Sequence, residues 1–319
     1  MSVFWSSAQS QNLSSGQDHK YLGLTGPGTR PPTSEILVDM NDTAELGDFL
    51  KARRAALDPA DLGLPTGFNQ RRVAGLRREE LAQLAGISVD YYTRLEQGRA
   101  RNVSDSVLDS LSRALRLHRD EKTYLRNLAT PKRQRVARPR AQRVRPELRT
   151  MLNALHSPAF VFGRYLDVLA WNALGSALSF DFAACPPGER NIPKMFFLDE
   201  HARELHPEWE TVAKEVVANL RAESGKYPDD PYLARLVGEL SLGSEEFRKL
   251  WAKHTVREKA HAWKVMINPV VGELRLRYET LRLPDDPDQA LVVYTAEPGS
   301  DSERALGLLA SWVTNPAHA

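Results

Sequence analysis

The chain carries a single cysteine, Cys185, in 319 residues, so no intrachain disulfide and no thiolate metal cluster can form. Cys185 precedes Pro186-Pro187 without a basic neighbourhood to lower its pKa, which argues against a reactive thiol. Apolar runs stay short of the roughly 18 residues a membrane span requires. The amino terminus lacks a basic stretch followed by an apolar one, so no secretory leader is expected and a cytoplasmic location is. Neither a G-x-S-x-G elbow, a Walker loop nor a G-x-G-x-x-G turn is present. The histidines do not fill that gap. His201 and His206 are five apart, not the i, i+4 of a helix-borne zinc pair, and His254 and His261, seven apart, could share a helix face but lack a third ligand. These absences point away from an enzyme, and neither a metal nor a certain cofactor is expected.

Charge is what the sequence does have, unevenly placed. The net charge is only +2, yet residues 44–150 hold 23 Lys and Arg against 13 Asp and Glu, and residues 150–319 hold 18 against 24. A basic module followed by an acidic one fits a DNA-binding domain ahead of a domain with another task. The chain length has room for both.

The organising stretch is Leu76–Arg99, LRREELAQLAGISVDYYTRLEQGR. Leu81 and Leu84, with Ala82 and Ala85 beside them, form an apolar face at helical period, Ala82 being small where a second helix must approach. Gly86 can take positive φ and end that helix, and Ile87 can plug the corner. Ser88 is a good N-cap for the next helix, in which Tyr92 and Leu95 face inward and Val89, Asp90, Tyr91 and Arg94 stay on or beside the outer face. Gln97 ends this helix and Gly98 stops it. A helix, a glycine turn and a capped helix with a polar outer face make a helix-turn-helix, whose second helix lies in the major groove; an ordinary helical hairpin is the rival reading.

The remainder of this module is helical. A helix is expected over Ala44–Leu57, capped by Asp42 or Thr43, with Leu46, Phe49, Leu50, Arg53 and Leu57 on one side. Helices over Ser104–Leu115 and Arg119–Ala129 bring Val107, Leu108, Leu111 and Leu115, then Tyr124, Leu125 and Leu128, to the core. The connection Asp58–Gly75 is long for such a module, and its Arg71-Arg72 pair suits phosphate contacts, a solvated loop being the alternative. Residues 1–43 are rich in Ser, Gln, Gly, Pro and Thr and read as a disordered tail. Met40 stands just before the first helical pattern, so either a start at Met40 or a dispensable 1–39 is expected. Residues 131–149 hold eight basic side chains and three prolines, which forbid a continuous helix, and read as an interdomain linker that tracks the DNA backbone or is merely solvated.

Beyond it the pattern changes. Ala159–Asn172 alternates around Gly163-Arg164 as a hairpin, with Phe160 and Phe162 on one arm and Leu166, Val168 and Ala170 on the other. Helical pieces follow at 173–182, 191–198, 207–224, 230–240 and 244–253; strands return at 272–283 and 290–295, joined by the Pro284–Asp288 turn. This order predicts an α+β domain. A small-molecule pocket is apolar with few polar anchors, and the candidates to line one are Phe160, Phe162, Trp171, Phe196, Phe197, Trp209, Trp251, Trp263 and Tyr278, with Asn172, Arg257 and His261 as polar groups; plain core packing is the competing role.

Glu79-Glu80-Leu81-Ala82, Ala85-Gly86-Ile87-Ser88 and Thr93-Arg94-Leu95-Glu96-Gln97-Gly98 resemble the Cro/repressor-like (Xre) helix-turn-helix family, and GLRREELAQLAGISVDYYTRLEQGR resembles the MmyB-like transcription regulators of actinobacteria. That resemblance extends to Leu169-Ala170-Trp171-Asn172, to Asn268–Leu274, and to Leu283–Asp288 with Val292–Ser300. It implies two domains: an all-α five-helix Cro/repressor-like DNA-binding domain over 44–130, and an α+β PAS-like regulatory domain over 150–300, followed by a carboxy-terminal helix and tail over 301–319. It also implies that Arg54 offers a cation to Glu96, that the domain takes an apolar or fatty-acid-like ligand, and that the chain is a transcription regulator binding operator DNA as a homodimer. Val89, Asp90, Tyr91 and Arg94 would face bases, and Arg71, Arg72, Arg77, Arg78, Ser88, Thr93, Gln97 and Arg99 would hold phosphates or steady the approach. The alternative is a regulator whose carboxy-terminal domain docks a protein and binds no small molecule.

Overall fold

Helix α1, Ser34–Ala55, opens the structure, a computed structural model that describes residues 34–64, 75–100, 102–129, 142–178, 180, 182–227, 230–257 and 261–314. α1 begins ten residues ahead of Ala44, inside the expected tail and running through Met40, so neither Asp42 nor Thr43 caps it. Leu46, Phe49 and Leu50 are its buried stripe. α2 (Arg78–Ala85), α3 (Val89–Glu96), α4 (Asp105–Ala114) and α5 (Arg119–Ala129) complete the first domain. Their shared core holds Leu81, Ala82, Ala85, Tyr92, Leu95, Leu108, Leu111, Tyr124, Leu125 and Leu128. Leu84, expected on the inner face of α2, is instead 42 % exposed. In so short a helix the i, i+3 spacing admits two stripes, and the small pair Ala82 and Ala85 takes the buried one.

α6 (Pro146–Ala154) starts within the stretch expected to be linker, its proline sitting in the first turn where no intrahelical N–H is needed. Val144, Leu148 and Leu152 pack on Val161, Ala170 and Leu291 of the sheet. The folded second domain therefore begins before residue 150.

That domain is built on five strands: β1 (Ala159–Phe162), β2 (Val168–Trp171), β3 (His261–Asn268), β4 (Gly272–Arg282) and β5 (Ala290–Thr295). Their order is β2-β1-β5-β4-β3, and every neighbouring pair is antiparallel. This is the expected two-domain architecture, with the PAS-like α+β domain second. β1 and β2 form the expected hairpin with a register shift at Val161/Phe162, but Leu166 lies in a 3-10 turn between the arms rather than on one. β3 is an addition to the expected set, and His261 opens it, so His261 and His254 do not share a helix.

Seven further helices surround the sheet among the described residues: α7 (Ala173–Leu178), α8 (Ile192–Leu198), α9 (Ala202–Leu205), α10 (Trp209–Ser224), α11 (Pro231–Gly243), α12 (Glu245–Trp251) and α13 (Asp301–Thr314). α6 covers one face of β1, β2 and β5, while the opposite face looks toward α10 across a cavity. α8, α10, α11 and α12 hold an aromatic-rich core of their own around Phe196, Phe197, Trp209, Leu236 and Phe247. Among the described residues no helix is long and apolar enough to cross a membrane.

Candidate nucleic-acid interface and ligand cavity

The turn between α2 and α3 follows from three residues. Gly86 takes φ 68°, a backbone state that only glycine adopts cheaply, and ends α2. Ile87 tucks part-buried against the core, and the Ser88 hydroxyl accepts the Tyr91 amide at 3.1 Å, capping α3. α3 is then bound to the rest of the domain through Glu96, whose side chain is 1 % exposed. Its carboxylate accepts from Arg54 Nε at 2.6 Å, Arg78 Nε at 2.6 Å and Tyr92 Oη at 2.8 Å. Burial alone would raise the Glu96 pKa; the donors from Arg54, Tyr92 and Arg78 outweigh it and hold the carboxyl below its ordinary value. Arg54 also donates to the Leu76 carbonyl at 2.5 Å, which ties the entry of α2 to α1. Gly47 permits this closeness, since a Cβ there would collide with the Glu96 carbonyl oxygen.

With Tyr92 and Leu95 turned into the core, the opposite side of α3 is free. Asp90 and Arg94 stand 84 % and 54 % exposed and pair across one turn at 3.4 Å, with the Arg94 guanidinium over the Tyr91 ring. Val89 and Gln97 are exposed beside them, as are Arg77 and Arg99 at the two ends of the motif. Thr93 donates its hydroxyl to the Val89 carbonyl at 2.8 Å, and Tyr91 is part-buried. The arrangement presents a rigid helix with a polar, mixed-charge front and a basic surround, which is what a major-groove reader needs. Arg71 and Arg72 lie outside the described residues.

The second site is a cavity of about 570 Å³ between α10 and the inner face of the sheet. Phe160, Phe162, Phe196, Leu178, Met266 and Val292 supply apolar wall. Polar groups sit among them. Lys264 of β3 borders the cavity and is half-buried; its loss of water pushes its pKa down, against a smaller pull upward from the Glu215 carboxylate. Its ammonium lies 5.2 Å from the centre of the Tyr278 ring. Burial drives the Tyr278 and Tyr294 hydroxyls well above the usual phenol range. Burial, with Lys264 nearby, drives the His206 imidazole down to about 4, and among the described residues its Nδ1 is buried without a partner. The result is a chamber of mixed lining, apolar side chains beside many polar and charged ones, with room for a small molecule.

Two family models match this chain. Residues 144–309, more than half of it, match the MmyB-like transcription regulator ligand binding domain. The chain belongs to that family. Residues 45–125 match a helix-turn-helix domain, in agreement with the geometry of α2 and α3. No curated protein matches the chain. A helix-turn-helix joined to an MmyB-like ligand-binding domain makes the protein a DNA-binding transcription regulator.

Within this family member, the aromatic candidates divide. Phe160, Phe162, Phe196 and Tyr278 line the cavity. Phe197 and Trp209 pack against each other and, through Phe197, on Phe247. Trp251 stacks on Phe247 and lies beneath Arg221, Trp171 rests on Phe182 and under Arg190, and Trp263 is exposed on the outer sheet face. Asn172 is a bracket: its Oδ1 accepts from the Ala159 and Gly175 amides, while its Nδ2 donates to the Leu155 and Ser157 carbonyls. Arg257 and His261 are exposed away from the chamber. Several polar groups that face it, Lys264, Glu215 and His206 among them, are not among the sequence candidates. Lysine and glutamate at single positions carry no signal of burial in a sequence, and His206 was visible only as half of a metal pair that its spacing excluded.

Proposed function

We propose that the protein is a sequence-specific double-stranded-DNA-binding regulator, acting as a homodimer, whose activity is modulated by a small apolar or fatty-acid-like molecule held in the chamber between α10 and the sheet. The single observation carrying the ligand is the chamber itself, in which aromatic and aliphatic side chains stand beside polar ones such as Lys264, Glu215 and His206. An apolar body gains from leaving water there at about 25 cal/mol per Å² buried. Lys264, Tyr278 and Tyr294 add polar atoms to the sheet side of that wall.

On the DNA side, Arg94 and Asp90 of α3 meet base edges with Val89 and Tyr91 beside them. Arg94 suits guanine and Asp90 a cytosine amino group. Arg71, Arg72, Arg77, Arg78, Thr93, Gln97 and Arg99 contact phosphates or steady the approach, Ser88 lending the capped helix N-terminus. Two copies read half-sites about one helical turn apart. The test is denaturing extraction of the purified full chain followed by mass spectrometry of released small molecules, with selection of bound duplexes from a random pool. A stoichiometric apolar species and an inverted-repeat consensus are expected. A chain that carries no such species and gains no thermal stability from lipids or metabolites would transfer the second domain to protein docking.

A further inference from the structure

The chamber is not closed by the second domain alone. Arg119, Asp120, Thr123, Tyr124 and Asn127, all on α5 of the DNA-binding domain, form part of its wall. They recur at helical spacing, so one face of α5 serves the chamber while Leu125 and Leu128 serve the first domain's core. The two domains are also joined beside that face. Tyr124 donates to Glu45 at 2.8 Å, and Arg221 of α10 reaches the same Glu45 oxygen at 2.8 Å, its other nitrogen donating to the Trp251 carbonyl at 2.6 Å. Arg53 of α1 bonds Glu121 and the Lys253 carbonyl, each at 2.8 Å. Ala222 and Val256 of the second domain pack into the core of the first. Gly225 lies so tightly on the Tyr124 ring that a Cβ would overlap it.

We propose that the effector site is shared between the two domains: the apolar body of an amphiphile occupies the chamber, its polar end lies against α5, and binding it is coupled to docking of the DNA-binding domain. This rests on the ligand reading above and adds how the ligand is sensed. Whatever fills the chamber touches a helix whose other side carries α1, and α1 carries α3 through Gly47 and the Arg54–Glu96 pair. No separate relay is needed, and the coupling is reciprocal: a ligand that prefers the docked pair stabilises it, and weakened docking weakens the ligand.

The test uses the full chain and 1-anilinonaphthalene-8-sulfonate fluorescence, with dodecanoate as competitor. Thr123→Trp fills the α5 side of the chamber from an exposed position, and Gly225→Ala, whose Cβ would overlap the Tyr124 ring of the wall, drives α5 away from α10. Lys122→Ala, exposed on α5 and off the wall, is the control. The expected result is probe binding weakened by about tenfold or more in the first two variants and unchanged in the control, a factor of ten being about 1.4 kcal/mol. Slower hydrogen exchange of α5 amides on probe binding is expected in the parent protein. A parent that binds the probe while both folded variants bind it equally, with α5 exchange unmoved, overturns the shared site and leaves the ligand reading intact. A parent that binds neither compound overturns the ligand reading itself, and this inference with it.

Discussion

In the DNA-binding half, the buried charge at the centre is saturated: Glu96 receives Arg54, Arg78 and Tyr92 at once. In the ligand-binding half polar groups border a chamber, with His206 Nδ1 buried and without a partner among the described residues and Lys264 resting on an aromatic face. The first pattern fixes one geometry, because each donor would be costly to orphan. The second leaves buried polar atoms at the edge of a cavity. In the proposed regulator the saturated cluster would hold the reading helix and the chamber would take the effector, with α5 of the first domain in its wall.

The sharpest way to break this contrast is to unsaturate the first half. Glu96→Ala removes the acceptor of a pair whose Arg54 side chain is only 7 % exposed. Leaving a buried arginine without its counter-ion costs about 3–5 kcal/mol. Thermal unfolding should show the helix-turn-helix melting well ahead of the parent protein, with DNA binding lost. Glu96→Gln, which keeps one accepting oxygen but sets an NH2 against an arginine donor, should lose less than Glu96→Ala yet remain below the parent protein.

Acid separates the halves next. His206 and His254 are pushed down to about 4, both by burial first, then by Lys264 and Arg221 respectively. Their folded pKa lies below the unfolded value near 6.5, so the unfolded chain takes protons that the folded one refuses. Stability is therefore full above pH ~6.5 and falls as the pH drops toward about 4, by up to about 3 kcal/mol for each histidine. Glu96 has a lowered folded pKa, so its stabilisation is present above the ordinary carboxylate value and is lost only as the pH falls through the lower folded one. The chamber and the domain seam should loosen at milder acidity than the helix-turn-helix. Unfolding monitored between pH 7 and 4 checks this, and His206→Phe should flatten part of the slope; an unchanged slope would contradict the pKa displacement of His206.

The exposed face of α3 gives the next smaller effect. Arg94→Ala should cost about 1–3 kcal/mol of DNA affinity and relax the base preference at one position, with the melting temperature unchanged because the side chain is half exposed. Uniform weakening across sequences would make Arg94 a phosphate contact instead.

Much of the first domain was legible because its rules are local. Ser88 caps by residue type, Gly86 ends a helix by its backbone freedom, and Tyr92 and Leu95 face inward by spacing. The Arg54–Glu96 pair came from the family resemblance rather than from spacing, since the two residues lie on different helices. β3 escaped notice because Ala262, Lys264 and Met266 on one side and Trp263, Val265 and Ile267 on the other leave no clean alternation. The chamber was the least legible part. Its polar groups come from α10, the strands β3 to β5 and the chain before α10, and the polar face of α5 reads as solvated until the second domain covers it. Such a site is a product of tertiary assembly.

The smallest effect tests how local those legible rules are. Ser88→Ala removes the hydroxyl that accepts the Tyr91 amide at 3.1 Å and should cost about 1 kcal/mol, whereas Ser88→Asp should retain the cap. Because α3 is also held by Glu96 at its far end, the loss should appear as faster amide exchange in the first turn of α3, with the chamber's probe affinity unaltered. If Ser88→Ala instead unfolds the domain globally, the cap and not the Glu96 cluster is what holds the recognition helix, and the contrast between a saturated centre and its surroundings would have to be redrawn around the turn.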